Sequence, residues 1–196
     1  MANGSIYVSQ RSEVTRIDPD GAGGWRPVTV ASGWQTNDFH EISAGLLHQP
    51  GDRPGHPGYL FMARSPGLGL FQNPPGHGSV WRIDLSRPPG ENVEWLTGGH
   101  RTPNGIGFGP RHEMFVIDNQ GEWTPANELN HVQPGHFYGF YQPHDPPRAH
   151  ASPFQPPNPA APAAGVTPAA VLLPQDEIGN SPTQPLRFPP GSRFAG

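Results

Sequence analysis

The sequence contains no cysteine and no lysine, and all twelve of its cationic residues are arginine. Without cysteine, this chain has no thiolate catalysis, no disulfide and no cysteine-ligated zinc. Without lysine, it has no Schiff-base chemistry. Long apolar runs are lacking too, so neither a signal segment nor a transmembrane helix is predicted, and the sequence leaves localisation open. The net charge of −4 at pH 7 contains no long run of one sign, so nucleic-acid binding is not expected.

Helix-forming stretches are also absent. No window of roughly a dozen residues keeps a 3.6-residue apolar period free of glycine and proline. The chain has 26 glycines and 28 prolines, which supply turns, and five Trp, ten Phe and four Tyr, which supply a core. We therefore predict an all-β fold.

An internal repeat indicates which all-β fold it is. The sequence VTRID at Val14–Asp18 returns as VWRID at Val80–Asp84, and each copy follows a short strand-like run. Tyr7, Phe61 and Phe115 recur at equal spacing along the chain. Repeats of roughly 40–50 residues with several strands each are typical of β-propeller blades. The repeat therefore predicts a partial propeller of about three blades.

The predicted organisation has three parts. Residues 1–140 form the blades, residues 141–168 form a Pro/Ala-rich loop or linker, and residues 169–196 start a further, truncated blade. About three blades do not close a ring, which takes roughly four to eight, and an open stack leaves bare sheet edges. We therefore expect a fragment of a longer propeller, completed by its remaining blades or by another copy of the chain.

The glycine-rich run Gly105-Ile106-Gly107-Phe108-Gly109 raises the question of a phosphate-binding loop. Such a loop leads from a strand into a helix, whose N-terminal amides hold the anion. Here Gly109 and Pro110 lead into a strand-like run instead. We interpret the alternating glycines as positions where an inner strand passes close to its neighbours.

Three places carry residues suited to chemistry. His40 precedes an apolar strand, and an imidazole can accept a proton near neutral pH; it is equally suited to hydrogen-bonding a loop. Arg101 offers a planar fork for carboxylates or carbonyl oxygens, or a salt bridge between blades. Asn104 can donate to the same ligand or cap a turn. The loop from Asp118 to Gly121 is rich in oxygen ligands for Ca²⁺, although an Asx-type turn explains it as well.

Five blocks of the sequence resemble those of soluble PQQ-dependent sugar dehydrogenases, six-bladed propellers of the glucose/sorbosone dehydrogenase type. The blocks follow the family's order along the chain. A histidine-bearing strand comes first, then a strand motif, an acidic loop, a second short motif and an aromatic segment. The blocks are NDFHEISAGLL at 37–47, GHRTPNG at 99–105, DNQG at 118–121, NELN at 127–130 and PGHFYGF at 134–140. The resemblance extends from about residue 4 to residue 140.

The resemblance implies an oxidoreductase that transfers hydride from an aldose or related alcohol to pyrroloquinoline quinone (PQQ). The implied catalytic base is His40. The implied cofactor contacts are Arg101, Thr102 and Asn104, with Thr102 in place of the family's Asn. Calcium would lie against Asp118, Gln120 and Gly121. The family also uses a lysine and an arginine pair from later blades, and a periplasmic or secreted location would follow.

Two other functions fit the residues. A non-catalytic propeller that binds carbohydrate or protein needs no quinone and accommodates Thr102. A calcium-dependent lactonase-type propeller needs several inward-facing carboxylates, for which only Glu41 and Asp118 are candidates. For the oxidoreductase, the expected partner is a small-molecule sugar or alcohol substrate.

Overall fold

The computed structural model of the chain describes residues 5–36, 40–67, 74–120, 124–140 and 165–193. These residues form three antiparallel sheets and no helix. The first sheet has the order β1-β2-β3, the second β4-β5-β6-β7 and the third β8-β9-β10-β11. The strands are β1 Ile6–Ser9, β2 Glu13–Pro19, β3 Trp25–Ser32, β4 Ser43–Gln49, β5 Tyr59–Arg64, β6 Ser79–Asp84, β7 Val93–Trp95, β8 Pro103–Phe108, β9 Met114–Asp118, β10 Ala126–His131 and β11 Val171–Pro174. The predicted all-β class and the three blades are confirmed.

The sequence repeat coincides with equivalent positions in the sheets. Both β2, which carries VTRID, and β6, which carries VWRID, lie next to the outermost strand of their sheet. The repeated aromatics each face a residue at the same place on the next strand. The pairs are Tyr7 with Arg16, Phe61 with Arg82, and Phe115 with His131. The repeat is therefore structural, one copy to each blade.

The second sheet is buried on both faces, which explains why β5 reads as a nearly continuous apolar run. Leu60 and Met62 pack into a core shared with the first sheet, whereas Phe61 and Ala63 pack into a core shared with the third. Because successive side chains of a strand point to opposite faces, one strand serves both cores. The three sheets thus stack side by side in chain order.

The glycines of β8 mark a close approach, as the sequence predicts. A Cβ placed on Gly105 would lie 2.2 Å from the Cα of Gln184, and one on Gly107 would lie 2.4 Å from the carbonyl oxygen of Pro185. Gly45 of β4 similarly faces Ile106 of β8. The segment after β11 therefore runs directly against the first strand of the third sheet.

A substitution at Gly105 tests this contact. Gly105→Ala is expected to displace the segment around Gln184, because the added methyl group meets backbone atoms that cannot rotate away. Cleavage by trypsin after the exposed Arg187 should become faster. In the control, Gly24→Ala, the methyl group meets only the side chain of Asp20, and the cleavage rate should stay that of the wild type. Equal rates for both variants would contradict the close approach.

One predicted boundary differs from the structure. The strand at Val171–Pro174, which we expected to start a further blade, is the outer strand of the third sheet, with Val171 opposite Leu129 of β10. The predicted loop at 141–168 lies outside the described residues except for 165–168, where Thr167 donates its N–H to the carbonyl oxygen of Phe137. Among the described residues there is no helix with the length and apolar character that a membrane span requires.

Candidate functional site

The candidate residues lie along one edge of the second and third sheets, which we call the rim (residues 40–42, 65, 78, 100–102 and 118–120). His40 precedes β4 and Arg101 precedes β8, and these are the first strands of two sheets that pack together. Backbone hydrogen bonds join the loops along this edge. They run from Ser65 N–H to Ile42 O at 2.9 Å, from Gly78 N–H to Arg64 O at 2.8 Å, and from His100 N–H to Gly78 O at 3.0 Å. The fold therefore brings His40 and Arg101 to the same edge.

Asp118 organises the loop that enters β8. Its Oδ1 accepts the N–H of Thr102 at 2.6 Å, and its Oδ2 accepts the N–H of Arg101 at 2.8 Å. The side chain is almost completely buried. A carboxylate that accepts two backbone N–H groups holds its loop firmly. Asp118 therefore fixes the backbone that presents Arg101 and Thr102.

His100 packs next to the carboxylate of Asp118. Its imidazole is fully buried, lies 3.7 Å from the Oδ2 of Asp118 and makes a 3.0 Å hydrogen bond with the hydroxyl of Thr97. The ring stacks on Tyr138, with centroids 4.7 Å apart. The phenol of Tyr138 in turn donates to the carbonyl oxygen of His131. The aromatic segment at 134–140 thus closes the rim by packing.

Arg101 and Thr102 present polar groups at the rim. The guanidinium of Arg101 donates from Nη1 to the carbonyl oxygen of Gln120 at 2.6 Å, which ties the loop before β8 to the loop after β9. The buried hydroxyl of Thr102 and the side-chain oxygen of Gln120 have no hydrogen-bond partner within the described parts of the chain. A buried polar group without a partner is costly, and a bound ion or water is one of the explanations for it. Gly121 lies outside the described residues.

Asn104 occupies a β-bulge. In the ladder between β8 and β9, Pro103 lies opposite Asp118 and Gly105 opposite Ile117, so Asn104 is the extra residue. Bulges redirect a side chain out of the regular alternation and are frequent beside functional sites. The half-buried Asn104 therefore lies two residues after Thr102 of the rim, in an irregular conformation.

His40 is exposed and held by its backbone. Its carbonyl oxygen accepts the N–H of Ile42 at 2.7 Å, and Ile42 is in turn joined to Ser65 of the next loop. Its preceding neighbours, residues 37–39, lie outside the described residues. The imidazole is accessible at the rim, as a proton acceptor requires.

Next to His40 lies a buried charged cluster that sequence reasoning missed. Glu41, Arg64 and His77 are almost entirely inaccessible, with the Glu41 carboxylate 3.7 Å from the Arg64 guanidinium and 3.6 Å from His77 Nδ1. Arg64 also donates to the hydroxyls of Ser43 and Thr36. Burial lowers the pKa of Arg64 to about 10, against the attraction of Glu41. Burial, together with the charge of Arg64, lowers the pKa of His77 to about 3, so His77 is neutral.

Glu128 is a second buried carboxyl group near the rim. It lies directly opposite Asp118 in the ladder between β9 and β10. Burial raises its pKa to about 7, a hydrogen bond from Asn130 at 3.3 Å opposes the shift, and the charge of Asp118 adds to it. Glu128 therefore titrates near neutral pH. The described residues contain no group of three or more His, Asp or Glu side chains arranged to hold a metal ion.

Some of the residues that the sequence analysis missed had a recognisable sequence signal, and others had none. Gly99 has φ near 79°, and a Cβ there would lie 2.7 Å from the ring of Phe137. The pair of glycines before His100 was thus a readable sign of close packing. Arg64 and His77 gave no comparable sign, because only the fold brings them beside Glu41.

No family model and no curated protein matches the sequence. Several solved structures resemble the fold, two of which are the following. The PQQ-bound form of an aldose sugar dehydrogenase from Streptomyces coelicolor aligns with a TM-score of 0.53 and 19% identity, over 92% of this chain and 51% of that one. The holo form of the PQQ domain of a pyranose dehydrogenase from Coprinopsis cinerea aligns with a TM-score of 0.55 and 15% identity, over 87% and 52%. The fold is that of β-propeller blades.

This likeness concerns architecture, and the chain spans about half the length of each of these two proteins. The partial propeller predicted from the repeat is thereby supported from a second direction. Chemistry depends on individual residues placed on a fold, so function has to be argued from the rim itself.

Proposed function

We propose that this chain forms part of a quinoprotein oxidoreductase of the sugar dehydrogenase type, which oxidises an aldose or related alcohol. The observation that supports this most directly is the loop of residues 100–102. Asp118 clamps its backbone, and the loop carries Arg101 with the partnerless hydroxyl of Thr102 beside it. A cation and a neutral donor on one fixed loop suit an acidic planar cofactor.

PQQ carries carboxylates and quinone oxygens, which are all acceptors, and the rim offers donors for them. Arg101 would hold a carboxylate through its guanidinium, and the hydroxyl of Thr102 would donate to a neighbouring oxygen. Asn104, on the bulge below, would contribute an amide. When bound, PQQ supplies the acceptor for the substrate hydride. The residues of the rim fit this cofactor.

Calcium would lie in the loop that follows β9. Asp118 already accepts two backbone N–H groups, so its main contribution is to hold the loop in shape. The side-chain oxygen of Gln120, which has no partner among the described residues, and the backbone around Gly121 would provide oxygen ligands of the kind that Ca²⁺ prefers.

His40 would act as the base that removes the substrate hydroxyl proton. His40 is exposed at the rim. Its carbonyl oxygen accepts the N–H of Ile42, and the carbonyl oxygen of Ile42 accepts the N–H of Ser65, which follows Arg64. A proton leaving the hydroxyl oxygen as hydride leaves the adjacent carbon balances the oxidation of an alcohol to a carbonyl. Glu41 and Arg64 would keep the His40 backbone in place.

Cofactor binding tests the proposal on this chain directly. PQQ titrated in the presence of calcium is expected to change its absorbance spectrum on binding. Arg101→Gln should weaken binding about tenfold or more, because a charge-assisted hydrogen bond is worth about 1.5–3 kcal/mol. The matched control is Arg53→Gln, an exposed arginine in the loop between β4 and β5 at the opposite edge of the second sheet, which should bind as the wild type does.

The same titration separates the alternatives. Reduction of a dye on adding aldoses, lost in His40→Ala with PQQ affinity retained, would support the oxidoreductase. No spectral change with PQQ at any calcium concentration, or equal losses in the Arg101 and Arg53 variants, would contradict the proposed cofactor site. A propeller that binds carbohydrate or protein without catalysis would then be the better description.

A further inference from the structure

A cleft of about 490 Å³ lies between the first two sheets. Its main walls are three indole rings, those of Trp34, Trp81 and Trp95, with Pro74 and Pro75 at one end. Ser32, Gly33, Gln35, Gly90 and Val93 complete the lining. Ligand sites usually measure about 300–1,000 Å³ and combine apolar walls with a few polar groups. None of the rim residues lines this cleft.

The cleft is held open by contacts behind its walls. Trp81 is buried at its floor and donates its indole N–H to the carbonyl oxygen of Gly76 at 2.6 Å. Trp34 stands edge-on to Trp81, with centroids 5.2 Å apart, and donates its own N–H to the carbonyl oxygen of Arg11 at 2.7 Å. Asn92 bridges the two sheets through a 2.7 Å hydrogen bond to Val30 O. Because Trp34 and Trp81 are already held in place, binding a ligand costs little conformational entropy for these rings.

The lining matches an uncharged ligand with both apolar and hydroxyl surfaces. The lining residues that the structure describes include no charged side chain. Besides the indole N–H groups, their side-chain polar groups are the hydroxyl of Ser32 and the exposed amide of Gln35, each of which can donate and accept. Trp34 and Trp95 remain partly exposed, so part of each side chain is available for contact with a ligand. A pyranose has an apolar C–H face and a rim of hydroxyls that donate and accept. We propose that this cleft binds a pyranose unit of a neutral saccharide.

Two other ligand classes fit the same surfaces less well. An acidic quinone is best held by a cation, and the described lining residues supply none; they also share no residue with the site proposed for PQQ. An all-proline segment presents acceptors but no internal donor, so the acceptor oxygens of Ser32 and Gln35 would gain no hydrogen bond from it. The saccharide site therefore does not depend on the proposed oxidoreductase activity.

Indole N–H signals in ¹H–¹⁵N spectra test the proposal on the whole chain. Cellobiose and maltotriose are the probes, and hexaproline is the comparison. Cellobiose and maltotriose should each shift the signals of Trp34 and Trp95. The expected dissociation constant is about 1 mM, because the contact is small and partly mediated by water. Trp25, which is exposed on β3 and lies outside the lining, should not shift.

Variants locate the binding. Trp95→Leu and Gln35→Ala should each weaken binding about tenfold, through loss of stacking and of hydroxyl contacts respectively. Gln35 is exposed, so its variant keeps the fold even if Trp95→Leu does not. Trp25→Leu should bind as the wild type does. Shifts with hexaproline alone, no shift with either saccharide, or equal weakening in the Trp25 variant would overturn the saccharide assignment.

Discussion

Glu41→Gln is expected to lower the free energy of unfolding by about 3–5 kcal/mol, a large part of the stability of a small protein. The substitution leaves the fully buried guanidinium of Arg64 without the carboxylate that lies 3.7 Å away. His77, 3.6 Å from the same carboxylate, cannot replace that charge and carries none of its own near neutral pH. Denaturation by guanidinium chloride, with the transition midpoint as the readout, measures the loss.

The second sheet provides the control. Glu94 pairs with Arg82 in the ladder between β6 and β7, but both side chains are substantially exposed. Glu94→Gln should cost less than about 1 kcal/mol, because exposed ion pairs contribute little. Equal losses from the two variants would mean that burial does not distinguish these pairs, and the account of the cluster would fail.

The cluster also bears on His40, its sequence neighbour. Glu41 and the hydrogen bond from the Ile42 N–H to the His40 carbonyl oxygen both fix the chain that follows His40. A base that must meet a substrate benefits from a backbone that cannot drift. The proposed catalytic residue thus lies on a short segment anchored by charges buried beneath it.

The sequence predicted the features of the fold that are local or repeated. VTRID and VWRID gave the equivalent strands, because strand alternation and turn residues act over a few positions. Gly105 and Gly107 gave the close approach beside β8, because only a residue without a side chain permits it. The rim followed from this regularity, since first strands of successive blades begin at the same edge.

What the sequence did not predict depends on contacts between distant segments. Val171 joins Leu129 across more than forty intervening positions, most of them in the Pro/Ala-rich stretch, so no local pattern could assign β11 to the third sheet. Glu41, Arg64 and His77 come from three loops or strand ends and meet only when the blade is formed. The sequence offered Glu41 as a possible inward-facing carboxylate but gave no sign of its pairing with Arg64 and His77, because burial and pairing are properties of the packed sheets.

The second large effect concerns pH. Burial raises the pKa of Glu128 in the folded state to about 7, from its ordinary value of 4.5. Between these values the folded chain holds a proton that the unfolded chain has lost, so stability falls as pH rises. Glu128→Gln removes this loss. The variant should match the wild type below about pH 4.5 and exceed it by about 3 kcal/mol at pH 8, as a shift of this size implies.

The comparison has to be made as a difference between variants, because His77 acts in the opposite direction. Its pKa of about 3 in the folded state means that the unfolded chain binds the extra proton between pH 6.5 and 3, so stability rises with pH there. Both proteins retain His77, and its contribution cancels in the difference. Glu177→Gln, at an exposed position, is the control, and it should change the free energy of unfolding by less than about 0.5 kcal/mol. If the Glu128→Gln difference is flat from pH 4 to 8, Glu128 is not a buried acid, and its place opposite Asp118 exerts no electrostatic cost.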